Sequence, residues 1–266
     1  MILRDGSRGL DHSAGPDYSP LMVDSGMDGL KRAAAARALS YVETGMKLGL
    51  GTGSTAEIFL ELLAERIREG LAIVGTPTSE RTAEKARALG IPLEELDVLK
   101  QLDLVVDGAD EADHNLDLIK GGGGALLREK IVAASSKRMI VIADESKLKE
   151  KLGAFPLPIE VVAFGHVTTA ARIAAVAELL DYPAIVPRLR MRDGKPFITD
   201  SGNLIYDCTF GAIADAAILG SLLSAVPGVV ETGLFIGFAT TLIIAGRDGV
   251  EVIERPSSSV MMRRER

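Results

Sequence analysis

An apolar segment that runs into a cluster of carboxylates is the first candidate for chemistry in this sequence. Leu104–Asp113 reads LVVDGADEAD, with four acidic residues after the apolar part. Crowded carboxylates raise one another's pKa, so such a cluster costs free energy unless it has partners. Asp107, Asp110 and Asp113 are spaced by three, whereas an EF-hand places its first acidic ligands every second residue. A solvated acidic turn is the alternative to a site that binds the hydroxyl groups of a ligand.

A glycine-rich turn, Gly49–Thr55 (GLGTGST), lies between a predicted strand and a predicted helix. Glycines let the backbone approach an anion closely, and a helix N-terminus offers free N–H donors. The turn is not a nucleoside triphosphatase loop, because no Gly-Lys-Ser/Thr follows it. The candidate ligand contacts in the turn are Gly51, Thr52, Gly53, Ser54 and Thr55. Tight packing explains the glycines equally well, and Gly75–Ser79 (GTPTS) is a second turn of this kind.

Four consecutive glycines in Ile119–Lys130 (IKGGGGALLREK) form the third candidate. They lie between a strand-like segment and a helix, where backbone N–H groups can form a nest for an oxyanion or a phosphate. Lys120 adds a fixed positive charge beside them. Glu129 follows about one and a half turns into the helix, flanked by an arginine and a lysine. The alternatives are an exposed linker for the glycines and an ordinary charged helix surface for Glu129.

Strands and helices alternate over the first half of the chain. The predicted strands are Met46–Leu50, Ala72–Gly75, Leu102–Val106, Leu116–Ile119 and Met139–Ala143. The predicted helices are Leu30–Val42, Thr55–Glu69, Glu80–Leu89 and Gly124–Ala134. This order favours a Rossmann-like α/β domain, a parallel sheet with helices on both faces and a ligand beyond the carboxyl ends of its strands. Lys147, in the ADESK segment after the last of these strands, is therefore a fourth candidate, with a solvated helix start as the alternative.

From Pro158 the order changes to β-α-β-β-α-β, which predicts a smaller ferredoxin-like α+β domain. Its predicted elements are Pro158–Ala163, Thr168–Leu180, Ala184–Arg190, Leu204–Thr209, Ala212–Leu223 and Val229–Leu234, with a turn at Thr199–Asn203. A final strand pair, Leu242–Ala245 and Val250–Ile253, is expected to return to the first sheet. The predicted domains are 27–157 plus 235–255 and 158–234. Residues 1–26 and 256–266 lack apolar periodicity and are predicted to be disordered tails.

Composition narrows the class of protein. The chain has 266 residues and a formal net charge of −7, which argues against a nucleic-acid surface. Cys208 is the only cysteine and no HExxH pair exists, so neither an internal disulfide nor a Cys-based metal cluster is predicted. The apolar runs are too short to span a bilayer, and the chain does not start like a secretory signal. We therefore expect a cytoplasmic protein without membrane or nucleic-acid partners.

Taken in order, these segments resemble the ribose-5-phosphate isomerase A family. The resemblance runs from about Met27 to Glu254 through GLGTGST, VVDGADE, IKGGGGALLREK, ADESK, FPLPIEV and PGVVETGLF. It implies an α/β domain with a ferredoxin-like domain, and catalysis without a metal or another cofactor. It also implies a homodimer or homotetramer that interconverts ribose 5-phosphate and ribulose 5-phosphate, so the expected partner is a small sugar phosphate.

The resemblance further implies roles for single residues. Glu129 would move a proton between C2 and C1 of the sugar, while Lys120 and the amides of Gly121–Gly124 would stabilise the enediolate oxygens. Asp107 and Asp110 would hold sugar hydroxyls and assist ring opening. The implied substrate contacts are Gly51, Thr52, Gly53, Ser54, Thr55, Asp107, Gly108, Ala109, Asp110, Lys120, Gly121, Gly122, Gly123 and Lys147.

Two other classes of protein stay open at this point. A sugar-phosphate sensor, like the effector domains of some repressors, would need a DNA-binding segment, and residues 1–26 lack the core of a helix-turn-helix. An amino-sugar phosphate deaminase or a lactonase would usually enlist a histidine for proton transfer. Only His114 lies next to one of the motifs.

Overall fold

The computed structural model describes residues 26–255, and the predicted tails lie outside this part of the chain except for Gly26. The helices are α1 (Met27–Leu39), α2 (Ser54–Arg68), α3 (Glu80–Ala88), α4 (Leu96–Leu99), α5 (Leu126–Ala134), α6 (His166–Leu179) and α7 (Ala216–Ser224). The strands are β1 (Lys47–Leu50), β2 (Val74–Pro77), β3 (Leu104–Asp107), β4 (Glu111–Asp113), β5 (Leu118–Ile119), β6 (Met139–Asp144), β7 (Leu148–Lys149), β8 (Leu157–Val161), β9 (Arg188–Leu189), β10 (Met191–Arg192), β11 (Lys195–Pro196), β12 (Leu204–Cys208), β13 (Val229–Thr232), β14 (Leu234–Phe235), β15 (Thr241–Gly246) and β16 (Gly249–Glu254). No helix in this described part is long and apolar enough to cross a membrane.

A six-stranded sheet forms the centre of the larger part of the molecule, in the order β16-β15-β6-β3-β1-β2. The neighbours from β15 to β2 are parallel, and β16 runs antiparallel to β15. β3 and β6 are buried along their whole length, as expected for nearly continuous apolar strands with helices on both faces. The predicted parallel α/β sheet is confirmed, and the last strand pair returns to it.

Two apolar clusters fill the two faces of this sheet. Leu104 and Val106 of β3 belong to the cluster that includes α1 and α2, whereas Val105 belongs to the cluster that includes α5. This division follows from the strand itself, because successive side chains point to opposite faces. The sheet is therefore packed from both sides, which gives the loops at its carboxyl edge well-defined positions.

A second, four-stranded sheet has the order β13-β8-β12-β9, with every neighbouring pair antiparallel. Helices α6 and α7 pack on it in a third apolar cluster that includes Ile173, Leu219 and Leu223. Along the chain its elements follow the order β8-α6-β9-β12-α7-β13. This is the chain order of a split βαβ unit.

The predicted strand Ala184–Arg190 is wrong over most of its length. Only Arg188–Leu189 pairs with β12, and Pro187 just before it has no backbone N–H to donate to a sheet. A small hairpin, β10–β11, follows β9. The predicted turn at Thr199–Asn203 is present, with the N–H of its first residue donating to the carbonyl of its last, but it joins β11 to β12.

Two helix boundaries were also predicted wrongly. Helix α7 begins at Ala216 instead of Ala212, because the side chain of Asp215 caps it by accepting the N–H of Ile218 at 2.8 Å. Helix α1 begins and ends three residues earlier than the predicted Leu30–Val42, since the residues after it form i→i+3 turns. The other predicted elements agree with the structure within two residues at each end.

A third sheet, which the sequence did not predict, links the two larger ones in the order β14-β5-β4-β7. Leu234 pairs with Ile119, and the N–H of Lys120 donates to the carbonyl of Gly233 at 2.9 Å. Strands of two or three residues are too short to show a periodicity in the sequence. Through these pairs Lys120, which precedes the four glycines, is attached to Gly233, which follows the last strand of the second sheet.

We predict that Gly49→Ala destabilises the protein by about 1–3 kcal/mol, the usual cost of overpacking a core. A Cβ on Gly49 would lie 2.6 Å from Cγ1 of Val132 and 2.7 Å from Cγ2 of Val105, so β1 and α5 would have to separate. Gly220→Ala is the matched control, because its Cβ would lie 3.5 Å from Leu234 in an ordinary contact. Urea denaturation measures both variants, and an unchanged midpoint for Gly49→Ala would contradict this packing.

Candidate active site

The loops after β1, β3 and β6 meet at the carboxyl edge of the six-stranded sheet, around a cavity of about 320 Å³. A cavity of this volume and position is typical of a small-molecule site in an α/β protein. The predicted residues that line it are Thr52, Gly53, Ser54, Thr55, Gly108, Ala109, Asp110, Lys120, Gly121, Gly122, Gly123, Glu129 and Lys147. Gly51 and Asp107 are buried next to it without lining it.

Three charged side chains are buried together beside this cavity. Nζ of Lys120 lies 3.0 Å from Oδ2 of Asp107 and 3.3 Å from Oε1 of Glu129. Each of the three residues is at most 5% exposed. The same Nζ donates to the carbonyl of Gly108 at 2.7 Å, so the ammonium contacts two carboxylates and one carbonyl.

Asp107, the last residue of β3, joins two of the loops. Its Oδ1 accepts the N–H of Thr52 at 3.0 Å and the N–H of Gly108 at 2.8 Å. The residue before Thr52 must be glycine, because a Cβ on Gly51 would collide with the side chain of Asp107. The two oxygens of Asp107 thus contact backbone N–H groups and Lys120, and the residue does not line the cavity.

Of the two carboxylates that contact Lys120, Glu129 is the one that lines the cavity. Its Oε2 is buried and has no hydrogen-bond partner within residues 26–255. Burial raises the pKa of Glu129 to about 8, with Lys120 opposing the shift and Asp107 adding to it. Burial also raises the pKa of Asp107, again against the charge of Lys120. For Lys120, burial by itself would lower the pKa, but the two carboxylates outweigh it and keep the pKa above its ordinary value.

The four glycines form a tight loop between β5 and α5. Gly121 and Gly124 have φ angles of +107° and +89°, a region that favours glycine. This conformation explains why α5 begins at Leu126 and not at the predicted Gly124. The N–H of Gly122 donates to Oδ2 of Asp110 at 2.7 Å. The loop is thus a structured wall of the cavity, and the alternative of an exposed linker is wrong.

The hydroxyl groups of the first turn divide into two sets. Oγ1 of Thr52 lies 2.8 Å from Oγ1 of Thr78 and 2.7 Å from Oγ of Ser79, so it is bound within the protein. The second predicted turn therefore supports the first one and does not line the cavity itself. Ser54 and Thr55 begin helix α2 and line the cavity, where the N–H groups of the first helical turn attract anions.

Lys31 of α1 also lines the cavity, and the sequence reasoning missed it. Its side chain is 16% exposed. It shares a helix face with Ala34, Ala35 and Ala38, which are fully buried, since residues three, four and seven apart lie on one face. A lysine on the apolar face of a helix is the signal that could have identified it. Lys31 and Lys147 add two positive charges to the wall.

The buried Glu129 makes the stability of the fold depend on pH. Its pKa is about 8 in the folded protein against an ordinary value of 4.5. Between these values the folded state binds more protons than the unfolded chain, so the free energy of unfolding falls as pH rises. We predict that Glu129→Gln, which does not ionise, becomes more stable relative to the parent by at least about 1 kcal/mol between about pH 5 and about pH 8.5.

Chemical denaturation of both proteins at the two pH values measures this difference. Glu84→Gln, a change at an exposed position of α3, is the control and should shift stability equally at both pH values. A pH-independent offset for Glu129→Gln would contradict the raised pKa.

Comparison with known sequences gives one family. Residues 74–249 match the family model described as Ribose 5-phosphate isomerase A (phosphoriboisomerase A). The ribose-5-phosphate isomerase A of Parvibaculum lavamentivorans is 57% identical over 227 residues, which covers 85% of this chain and 98% of that protein. The protein of the same name from Nitrobacter hamburgensis is 58% identical over 232 residues, covering 86% of this chain and 99% of that protein.

Solved structures show the same similarity. Ribose 5-phosphate isomerase A from Methanocaldococcus jannaschii has a TM-score of 0.79 at 39% identity and covers 86% of this chain and 100% of its own. Ribose 5-phosphate isomerase from Plasmodium falciparum has a TM-score of 0.81 at 40% identity, covering 86% and 99%. A D-ribose-5-phosphate isomerase in complex with phospho-erythronic acid has a TM-score of 0.80 at 38% identity, covering 86% and 100%. This chain therefore belongs to the ribose 5-phosphate isomerase A family.

Proposed function

We propose that this protein interconverts D-ribose 5-phosphate and D-ribulose 5-phosphate in the non-oxidative pentose phosphate pathway. The observation that supports this most directly is the buried Glu129 beside Lys120 at the cavity. An aldose–ketose isomerisation needs a base that moves a proton between neighbouring carbons and a positive charge that stabilises the enediolate. Relatives of this name at 57% and 58% identity point to the same reaction.

Glu129 is the base in this mechanism. Its Oε2 takes the proton from C2 of the open-chain aldose, and the electrons of that C–H bond form the C1–C2 double bond while the C1 oxygen becomes negative. A proton then passes from the C2 oxygen to the C1 oxygen. Glu129 returns its proton to C1, and the ketone forms at C2. The raised pKa of about 8 makes Glu129 a stronger base than an exposed carboxylate.

Lys120 and the glycine loop stabilise the enediolate oxygens. Lys120 is held by Asp107 and the Gly108 carbonyl, so it need not reorient while charge develops. Asp110 lines the cavity, where it binds sugar hydroxyls and assists ring opening. Asp107 is 1% exposed, which favours an action through Lys120 over direct contact with the sugar.

The phosphate group binds where Ser54 and Thr55 begin helix α2, in the cavity that Lys31 and Lys147 also line. A helix N-terminus and two ammonium groups complement a doubly charged anion. One relative was solved in complex with phospho-erythronic acid, a phosphorylated sugar acid. A ligand of this class supports a sugar phosphate as the substrate.

We further propose that the chain forms a homodimer or homotetramer, works in the cytoplasm and needs no metal. Phe164 and Val167 are 94% and 69% exposed, and apolar side chains exposed to this degree support self-association. The single buried thiol of Cys208 suits a reducing compartment. Lys120 already supplies the positive charge at the reacting oxygens that a metal would otherwise supply.

The proposed domain division is 27–157 plus 235–255 for the α/β domain and 158–234 for the ferredoxin-like domain. The third apolar cluster supports it, because most of its members come from the second range. The first two clusters draw on the first range, with Ile205 and Phe197 as exceptions.

Incubation of the purified protein with ribose 5-phosphate and EDTA tests the proposed reaction. We expect the ketose to form at the same rate with and without the chelator. A folded protein that forms no ketose would contradict the isomerase function, and a rate abolished by EDTA would contradict only the metal independence. Ammonia release from glucosamine 6-phosphate would favour the deaminase alternative.

We predict that Glu129→Gln lowers kcat by about 10²–10⁴-fold, the usual contribution of a general base. Glutamine keeps the size of the side chain but cannot accept the proton, so KM should stay within about threefold of the parent value. Steady-state rates on ribose 5-phosphate measure both constants, with Glu84→Gln as the exposed control. Retention of more than about a tenth of the activity by Glu129→Gln would exclude it as the base.

A further inference from the structure

The glycine loop has a second set of contacts, with a side chain that does not line the cavity. Arg190, between β9 and β10, donates from Nη1 to the carbonyl of Gly121 at 2.7 Å and to that of Gly122 at 3.2 Å. Its Nε donates to Oδ2 of Asp207 on β12 at 2.9 Å, and its Nη2 binds the other carboxylate oxygen. The side chains of Arg190 and Asp207 are 14% and 26% exposed, so the pair is largely shielded from water.

The backbone of Arg190 is fixed as well. Its N–H donates to the carbonyl of Ile205 at 2.8 Å, and its carbonyl accepts the N–H of Phe197 at 2.9 Å. A planar guanidinium that is held on one edge by a carboxylate presents its remaining N–H groups in one direction. Arg190 therefore offers the glycine loop two donors whose positions are set by the second sheet.

A fixed carbonyl also fixes the N–H of the following residue, because the two groups point in opposite directions across a planar trans peptide. The bond from Arg190 to the Gly121 carbonyl thus directs the N–H of Gly122, which donates to Asp110. The bond to the Gly122 carbonyl directs the N–H of Gly123 away from Arg190, and Gly123 lines the cavity. Within residues 26–255 this N–H has no protein acceptor, so it is free for a ligand.

The glycines do not hold this orientation by themselves. A residue without Cβ reaches both signs of φ at little cost, so peptide units in a run of glycines can rotate. If the peptide group between Gly122 and Gly123 rotated, the Gly122 carbonyl oxygen would point at the cavity. There it would repel the negative charge that develops during the reaction. Arg190 opposes that rotation, because its positive charge binds the carbonyls on the far side of the loop.

We propose that Arg190, held by Asp207, is a positioning residue that keeps the N–H of Gly123 directed at the enediolate oxygen. The proposal rests on the proposed isomerase function. In this arrangement the second sheet contributes to the reaction without touching the substrate, by setting the direction of a donor in the first part of the molecule.

Arg190→Ala and Arg190→Lys test the proposal, with Arg188→Ala, at an exposed position of β9, as the control. We expect Arg190→Ala to lower kcat on ribose 5-phosphate at least about tenfold, since a whole oxyanion donor is worth about 10²–10³-fold. KM should change less than about threefold, because the donor acts mainly on the charged intermediate. Inhibition by phospho-erythronic acid should weaken in proportion to the loss of kcat/KM.

Arg190→Lys should be impaired as well, because an ammonium cannot form the fork to Asp207 and two carbonyls together. If circular dichroism shows that Arg190→Ala does not fold, the kcat of Arg190→Lys tests the proposal in its place. A kcat within about twofold of the parent, a loss confined to KM, or an equal loss in Arg188→Ala would each overturn the proposal. A parent protein that is itself inactive on ribose 5-phosphate would instead refute the proposed function.

Discussion

The burial of Lys120 between two carboxylates is the interaction on which the rest of the site depends. Removing an ammonium from water costs several kcal/mol, and only good geometry with several acceptors offsets that cost. Lys120 contacts Asp107 at the end of β3, the Gly108 carbonyl after it, and Glu129 on α5. Sheet, loop and helix must therefore all be in place before the lysine can be buried.

The same cluster has one more carboxylate than it has cations, and this excess determines its reactivity. Oδ1 of Asp107 receives two backbone N–H groups, whereas Oδ2 of Asp107 and Oε2 of Glu129 are buried without a hydrogen-bond partner in the described part of the chain. Burial raises the pKa of both carboxyl groups, and Glu129 is the one of the two that lines the cavity. In the proposed mechanism the two carboxylates therefore have different tasks, because their surroundings differ in the number of donors.

The neighbours of Glu129 show how the fold selects one residue from a charged triplet. Arg128 donates to Glu80 at 2.8 Å, and Lys130 donates to Glu231 and to the Thr232 carbonyl, each at 2.7 Å. Consecutive residues of a helix project about 100° apart, so Glu129 is buried against Lys120 at the cavity while its two neighbours reach other elements. The bonds of Arg128 and Lys130 fix the rotational orientation of α5 about its own axis. The interpretation as an ordinary charged helix surface therefore fails at the middle residue.

The sequence by itself determined the alternation of strands and helices and the position of each glycine-rich or acidic loop after a strand. These features depend on neighbours a few residues apart, which periodicity and turn residues report directly. Only the tertiary structure decided which groups meet there. Lys120 pairs with Asp107, the hydroxyl of Thr52 turns away from the cavity, and Lys31 enters the wall from α1. The physical reason is that burial and charge pairing are set by contacts between different helices, strands and loops, which no local pattern encodes.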